Sequence, residues 1–179
     1  SVRLINKFKL TPKAEYEVKF DVVTRVGRLK NRGSEATIYE EAVKLIEFSI
    51  INDDYKDAEE LQRVISSMAA RIKSREKRKK ANQLRKEVAI AKAAYIKVQK
   101  VFDHMGQPGT NRKKDNLVAG KYYGLLKNKW KIAIPLLQEA DDNEFSVVAT
   151  WEHKAQVRGE ERMRLANRWW ELSDSHREY

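Results

Sequence analysis

Apolar residues recur at three- and four-residue spacing along most of the chain, the period of one face of an α-helix. Between Pro12 and Leu29 the repeat runs through Val18, Val22 with Val23, Val26 and Leu29. Gly33 then offers a left-handed helix end and Ser34 a cap for the next helix, and together they mark a tight corner. The second segment carries Ile38, Ala42, Leu45, Ser49 and Ile50. It ends in the polar cluster Asn52, Asp53 and Asp54, whose aspartates suit the start of a third helix.

Two heptad-like seams follow. Ala58, Leu61, Ile65, Met68 and Ile72 form the first, and Leu84, Val88, Ala91, Tyr95, Val98, Phe102 and Met105 form the second. Extending the first seam lands on Arg75, Lys79 and Asn82, so the phase breaks between them. Neither glycine nor proline interrupts Asp57 to Met105, and one continuous helix there would reach roughly 70 Å at about 1.5 Å per residue. The phase change favours two helices with a break near Lys73 to Lys77. Gly106, Pro108 and Gly109 mark a loop. Shorter helices are expected beyond it, at Lys114 to Lys127, Lys129 to Ala140, Phe145 to Ala155 and Glu160 to Ser173. Pro135 lies inside the second of these, where it should kink the helix or shorten its first turn.

One internal echo bears on architecture. Tyr55-x-x-Ala58-x-x-Leu61 and Trp130-x-x-Ala133-x-x-Leu136 each follow a predicted turn. An aromatic residue, then a small one, then a large aliphatic one is the packing logic of tetratricopeptide-like hairpins. The expected fold is therefore all-α: antiparallel helical hairpins in a tetratricopeptide-like array with one or two long helices. A single helical domain is expected over 1–179, with longer helices in 12–105 and shorter ones in 112–176. Tyr55, Tyr95, Trp130 and Trp169 are the expected core aromatics, whereas Trp151 or Trp170 is free to line a surface groove.

Composition agrees with long helices: the 179 residues include only 7 glycines and 3 prolines, too few for the turns of a sandwich or barrel. Cysteine is absent, which removes disulfides, zinc-thiolate sites and thiol nucleophiles. No run approaches the roughly 20 apolar residues of a membrane helix. The N-terminus lacks a basic-then-apolar signal pattern, and a start at Ser1 suggests a processed or trimmed piece of a longer protein.

The net charge of +11 is concentrated in one place. Arg71, Lys73, Arg75, Lys77, Arg78, Lys79, Lys80, Arg85 and Lys86 face one acid, Glu76, within 71–86. Such a run is either a solvated helix face contributing little to the fold or a site for an anionic partner. The three histidines, His104, His153 and His176, have no second ligand at helical spacing, and the chain contains neither a phosphate loop nor a Gly-x-Ser-x-Gly elbow. The acidic pairs Glu40-Glu41, Glu59-Glu60 and Glu160-Glu161 are adjacent on helices, so their members point apart and suit a solvated face better than acid–base chemistry. No catalytic residue, metal ligand or cofactor site is expected.

Four stretches together resemble a set of uncharacterised planctomycete proteins: Leu84-Arg85-Lys86-Glu87-Val88 through Tyr95 and Val98; Asn116 to Tyr122; Trp130 to Leu137 with Pro135; and Ala166 to Leu172 with Trp169-Trp170. In that set a Gly-Asp-Trp…Leu-Pro-Leu-Leu helix and a closing Trp-Trp-x-Leu helix recur. The likeness covers roughly Ala36 to Ser173. It implies a tetratricopeptide-like module without an activity of its own, found in larger proteins that are exported or periplasmic and that carry carbohydrate-binding or jelly-roll-like domains. This chain has Asn128-Lys129 before Trp130 and Ala166-Asn167-Arg168 before Trp169 where that set has Gly-Asp, so the acids at two turns are missing.

Three functional readings follow. The first is a non-enzymatic scaffold holding a protein or peptide in a groove between hairpins. The second is a nucleic-acid or other polyanion binder using 71–86, helped by Arg112, Lys113 and Lys114. The third is an accessory domain of a carbohydrate-acting exported protein.

Overall fold

The structure is a computed structural model that describes residues 11–29, 35–105, 111–154 and 159–175. The protein is all-α, with no strand among the described residues. In chain order these residues form α1 (Pro12–Arg28), α2 (Glu35–Ile51), α3 (Tyr55–Ile72), α4 (Arg75–His104), α5 (Arg112–Lys121), a π-helical turn (Tyr122–Leu126), α6 (Trp130–Gln138), α7 (Asn143–Lys154) and α8 (Glu160–Ser175). The expected Gly33-Ser34 corner, the Gly106 to Gly109 loop, Ala155 and His176 lie outside the described residues.

Two compact units divide the chain, Ser1–Ala89 and Ile90–Tyr179. The division falls inside α4 and not at the glycine-proline loop that separates the sub-parts read from sequence. The reason lies in what α4 buries. Ala81, Leu84 and Val88 belong to the core of the first unit, and Ala94 and Val98 to a core of the second.

In the first unit α1, α2 and α3 pack on one another. Thr11 caps α1 by accepting the Ala14 N–H, and Pro12 occupies its first turn. Tyr16 near the start of α1 stacks on Phe48 near the end of α2, so these two helices run antiparallel. Arg71 at the end of α3 reaches Glu35 at the start of α2, so that pair is antiparallel too. The core gathers Tyr39, Ala42, Leu45, Ile46, Leu61, Ile65 and Met68. Each large aliphatic side chain removed from water there contributes about 1.5–3 kcal/mol.

The buried face of α1 differs from the one its valines suggest. Val18, Val22 and Leu29 are 48%, 43% and 59% exposed, while Tyr16, Val23, Thr24 and Gly27 are buried. Two observations account for this phase. The Tyr16 hydroxyl shares a 2.8 Å hydrogen bond with the buried Ser49 hydroxyl and donates to Asp57 at 3.0 Å. At Gly27, α1 approaches α3 so closely that an added Cβ would stand 2.4 Å from Val64 Cγ1.

Helix ends explain the two echoed corners. After α2 the Asp54 N–H bonds the Ser49 carbonyl at 2.9 Å and the Asp53 N–H bonds that of Ile50 at 3.3 Å, with Asp53 left-handed at φ 64°. This is a Schellman ending with aspartate where glycine is usual. Tyr55 opens α3 and donates its hydroxyl to Asp53 Oδ1 at 3.1 Å. The second corner repeats the plan: Asn128 is left-handed at φ 53°, and Trp130 opens α6 and donates its indole N–H to Asn128 Oδ1 at 2.6 Å. Its preceding turn is wider. The Lys129 N–H reaches back to the Tyr123 carbonyl at 2.7 Å, one residue farther than in the first corner, through the π turn that replaces the expected end of a single α-helix at Lys127.

In the second unit α5 and α6 run antiparallel, since Asn116 donates to Glu139 at 3.2 Å while Gly124 lies against Trp130 and Ala133. Ala133, Leu137, Phe145, Val148, Ala149, Leu165 and Leu172 form one core, and Ala94, Val98, Ala119 and Tyr122 another. Of the expected core aromatics only Tyr55 is buried. Tyr95, Trp130 and Trp169 are half-buried, because each keeps a polar end on a surface partner: Tyr95 on Gln99, Trp130 on Asn128, and Trp169 on Glu152. The Trp130 and Trp169 rings meet at 4.9 Å.

Candidate polyanion-binding face

The left-handed Lys73 at φ 58° ends α3, and the Ser74 hydroxyl accepts the Lys77 N–H at 3.3 Å to start α4. This is the break expected from the phase change. On both sides of it the cations of the basic run divide into two chemically distinct sets.

Arg71 and Lys77 belong to the fold. The Arg71 guanidinium donates to Glu35 at 3.0 Å, to the Gly27 carbonyl at 2.6 Å and to the Ser67 hydroxyl at 3.3 Å, tying together parts of α1, α2 and α3. Lys77 pairs with Glu40, and its ammonium lies 4.5 Å from the centre of the Tyr39 ring, while the Tyr39 hydroxyl donates to the Lys77 carbonyl at 2.8 Å. Burial, with Glu40 nearby, raises the Tyr39 hydroxyl above its ordinary pKa and keeps it a donor. The expectation of a wholly solvated run with nothing to bury is therefore corrected: acids 36 and 37 residues upstream fix two of its cations, and Ala81 is buried beneath it.

The remaining set is free. Arg75, Arg78, Lys79, Arg85 and Lys86 are exposed and Lys80 is partly exposed, and none has an acidic partner among the described residues. Arg75, Lys79, Asn82 and Lys86 follow at spacings of four, three and four, on the side of α4 opposite the buried Ala81, Leu84 and Val88. Arg78 and Gln83 flank them, and the six together line an open depression. Arg85 lines a second depression with Glu59, Gln62, Arg63, Val88 and Ala89. Lys73 is exposed at the break. Asn82 and Gln83 are absent from the charge-based reading of the sequence; only their position in the helical period places them in the stripe.

The other candidate residues do not gather into a site. Trp151 is half-buried against the second unit's core. Trp170 is 75% exposed. Arg112, Lys113 and Lys114 are exposed on α5, and Arg112 pairs with Glu139 at 3.3 Å. No group of three or more His, Asp or Glu able to hold a metal ion occurs among the described residues, and no helix there is long and apolar enough to cross a membrane.

Comparison with known proteins adds no relative: no protein family, curated protein or solved structure matches the chain. The resemblance to planctomycete modules thus rests on its motifs alone.

Proposed function

We propose that the protein is a non-catalytic helical module that binds a polyanion through the exposed face of α4. One observation carries this reading. Arg75, Arg78, Lys79 and Lys86 hold four uncompensated charges on one surface, fixed to a helix whose opposite side is packed into a core. Unpaired cations at short spacing raise the local potential and attract phosphate or sulfate chains. Leaving such charges unneutralised brings the fold only mutual repulsion.

The test is binding to heparin and to a random DNA duplex across a range of salt. Affinity should fall steeply as salt rises, with a loss of about 0.9 in slope for each phosphate contact removed. Replacing Arg75, Arg78, Lys79 and Lys86 together by glutamine should flatten that dependence by about 3–4 if each cation contacts one phosphate. Binding that ignores salt, or that survives the substitutions, defeats the reading.

A second reading, a scaffold for a protein partner within a tetratricopeptide-like array of the planctomycete kind, is favoured by α8. Met163 and Trp170 lie seven residues apart on one face of that helix, 68% and 75% exposed. Large apolar residues on one exposed face suit a protein contact. In this reading Trp170→Ala abolishes partner binding and leaves heparin binding unchanged.

A further inference from the structure

We infer that the outward face of α1 is a self-association surface, on which a second copy of this chain packs its own α1 antiparallel about a two-fold axis. The inference is independent of the polyanion reading. It starts from an apolar seam that the core of the first unit leaves unused. Val18, Val22, Arg25 and Leu29 follow at spacings of four, three and four, the period of a helix-pairing stripe, and all four are exposed. The buried Tyr16, Val23, Thr24 and Gly27 occupy the opposite side of the helix. The Tyr16–Ser49 hydrogen bond and the close approach at Gly27 hold α1 in that rotation, so its aliphatic stripe stays outward.

Charge selects the occupant. Glu17, Asp21 and Arg28 are exposed along one flank of the stripe, and Arg25 stands between that flank and the apolar residues. Acids therefore hold the N-terminal half of this flank and cations the C-terminal half. In an antiparallel two-fold pair each flank meets the same flank of the copy running the other way. An axis crossing α1 between Val22 and Val23 sets Glu17 opposite the copy's Arg28 and Asp21 opposite its Arg25. It also sets Val22 beside Val22, and Leu29 within half a turn of the copy's Val18. Glu17 has no ion-pair partner among the described residues, while Asp21 and Arg25 pair with each other at 2.7 Å and remain 52% and 77% exposed. Two such pairs lying head to tail alternate in sign across the axis. Arg28, paired with Glu60 at 2.6 Å, is 68% exposed and adds Glu17 at the rim. Parallel pairing would instead bring this flank against Glu15, Lys19 and Val26, and Lys19 is already held by Glu15 at 2.7 Å and Glu41 at 3.0 Å. The stripe from Glu17 to Leu29 is only about 18 Å long. Such a pairing falls at the small end of interfaces, so the dimer is weak, with a dissociation constant on the order of 100 µM.

The experiment is sedimentation of the full chain from roughly tenfold below to fivefold above that constant. The parent should pass from monomer to dimer with rising concentration. Glu17→Lys with Asp21→Lys makes the flank wholly basic, and Arg25→Glu with Arg28→Glu makes it wholly acidic. Each double variant should associate at least tenfold more weakly than the parent, and an equimolar mixture of the two should recover dimer. Circular dichroism shows whether each variant folds. The chain has no cysteine, so single-cysteine variants give a second measurement that leaves the charges intact. Val22→Cys should oxidise to a linked dimer, since a disulfide needs Cα atoms within about 7 Å. Val18→Cys and Leu29→Cys should not, because each stands about 13 Å and 20 Å along the helix from its copy. A chain that stays monomeric throughout overturns the inference. So does a dimer that both charge variants retain, a mixture that recovers nothing, or equal linking at all three cysteines, which marks a parallel pair.

Discussion

Replacing Arg71 by methionine keeps most of the side chain's apolar stem and removes its charge and donors. The guanidinium is 25% exposed and its partner Glu35 only 13%, so Arg71→Met leaves a largely buried carboxylate unpaired and releases the Gly27 carbonyl near the end of α1. A hydrogen bond to a charged group is worth about 1.5–3 kcal/mol, and residual exposure screens the pair, so the net loss should be about 2–3 kcal/mol. For a chain of this size that corresponds to a melting temperature about 5–10 °C lower. Urea unfolding of Arg71→Met, Glu35→Gln and the double variant gives the coupling between the two, expected at about 1–2 kcal/mol. Lys79→Gln is the control: it is exposed and unpaired, so it should stay within about 0.5 kcal/mol of the parent. Equal costs for Arg71→Met and Lys79→Gln, or a cycle without coupling, would refute a structural role for the Arg71–Glu35 pair.

Other substitutions test other parts of the structure. Trp130→Ala should cost about 2–3 kcal/mol in urea unfolding, below the 3–5 of a fully buried ring, because Trp130 is half-buried against Trp169 and Gly124. A cost under about 1 kcal/mol would place the ring outside the packing. Gly27→Ala drives a Cβ to 2.4 Å from Val64 Cγ1 and should destabilise by about 1–3 kcal/mol, and a gain in stability would contradict the close approach of α1 and α3. Glu41 gives a pH signature: burial pulls its pKa up, but the hydrogen bond and charge of Lys19, with help from Lys44, outweigh burial and hold it below its ordinary value of 4.5. Because the folded value is the lower one, this stabilisation is present above pH 4.5 and is lost as pH falls through the lowered value. Urea midpoints at pH 6 and pH 3 should therefore lie closer together in Glu41→Gln than in the parent.

Features that depend on local chemistry could be read from the sequence. The break before α4 is visible because the apolar seam changes phase, and the seam from Leu84 to Val98 holds because aliphatic residues repeat on one face. Asp53 and Asn128 stand at the turns where left-handed backbone is needed, and the aromatic residues two positions on made their likeness visible. The face of α1 was misleading because hydrophobicity points to Val18 and Val22, whereas packing selects a hydroxyl that finds Ser49 and a glycine that admits α3. Nothing local marks Arg71 as the partner of Glu35 or Lys77 as the partner of Glu40, since each pair meets only once α2, α3 and α4 are assembled. At the candidate face the charges were legible, but which were free was not: neighbouring residues of one basic run divide between structural and uncompensated roles.

The widened turn before Asn128 bears on how this chain tolerates changes in length. A one-residue insertion in an α-helix rotates every later side chain by about 100° and would turn the face of the following helix away from its core. Here the extra residue is taken up inside Tyr122–Leu126, and both corners still finish with a left-handed polar residue and an aromatic hydrogen-bonded to it. The π turn acts as a length buffer: α6 starts in the same relation to its corner as α3, despite the additional residue. Removing one residue from that turn should convert it to an ordinary α-helical end with the Asp53 geometry, whereas removing one from the middle of α5 would put Asn116 and Ala119 out of register with α6.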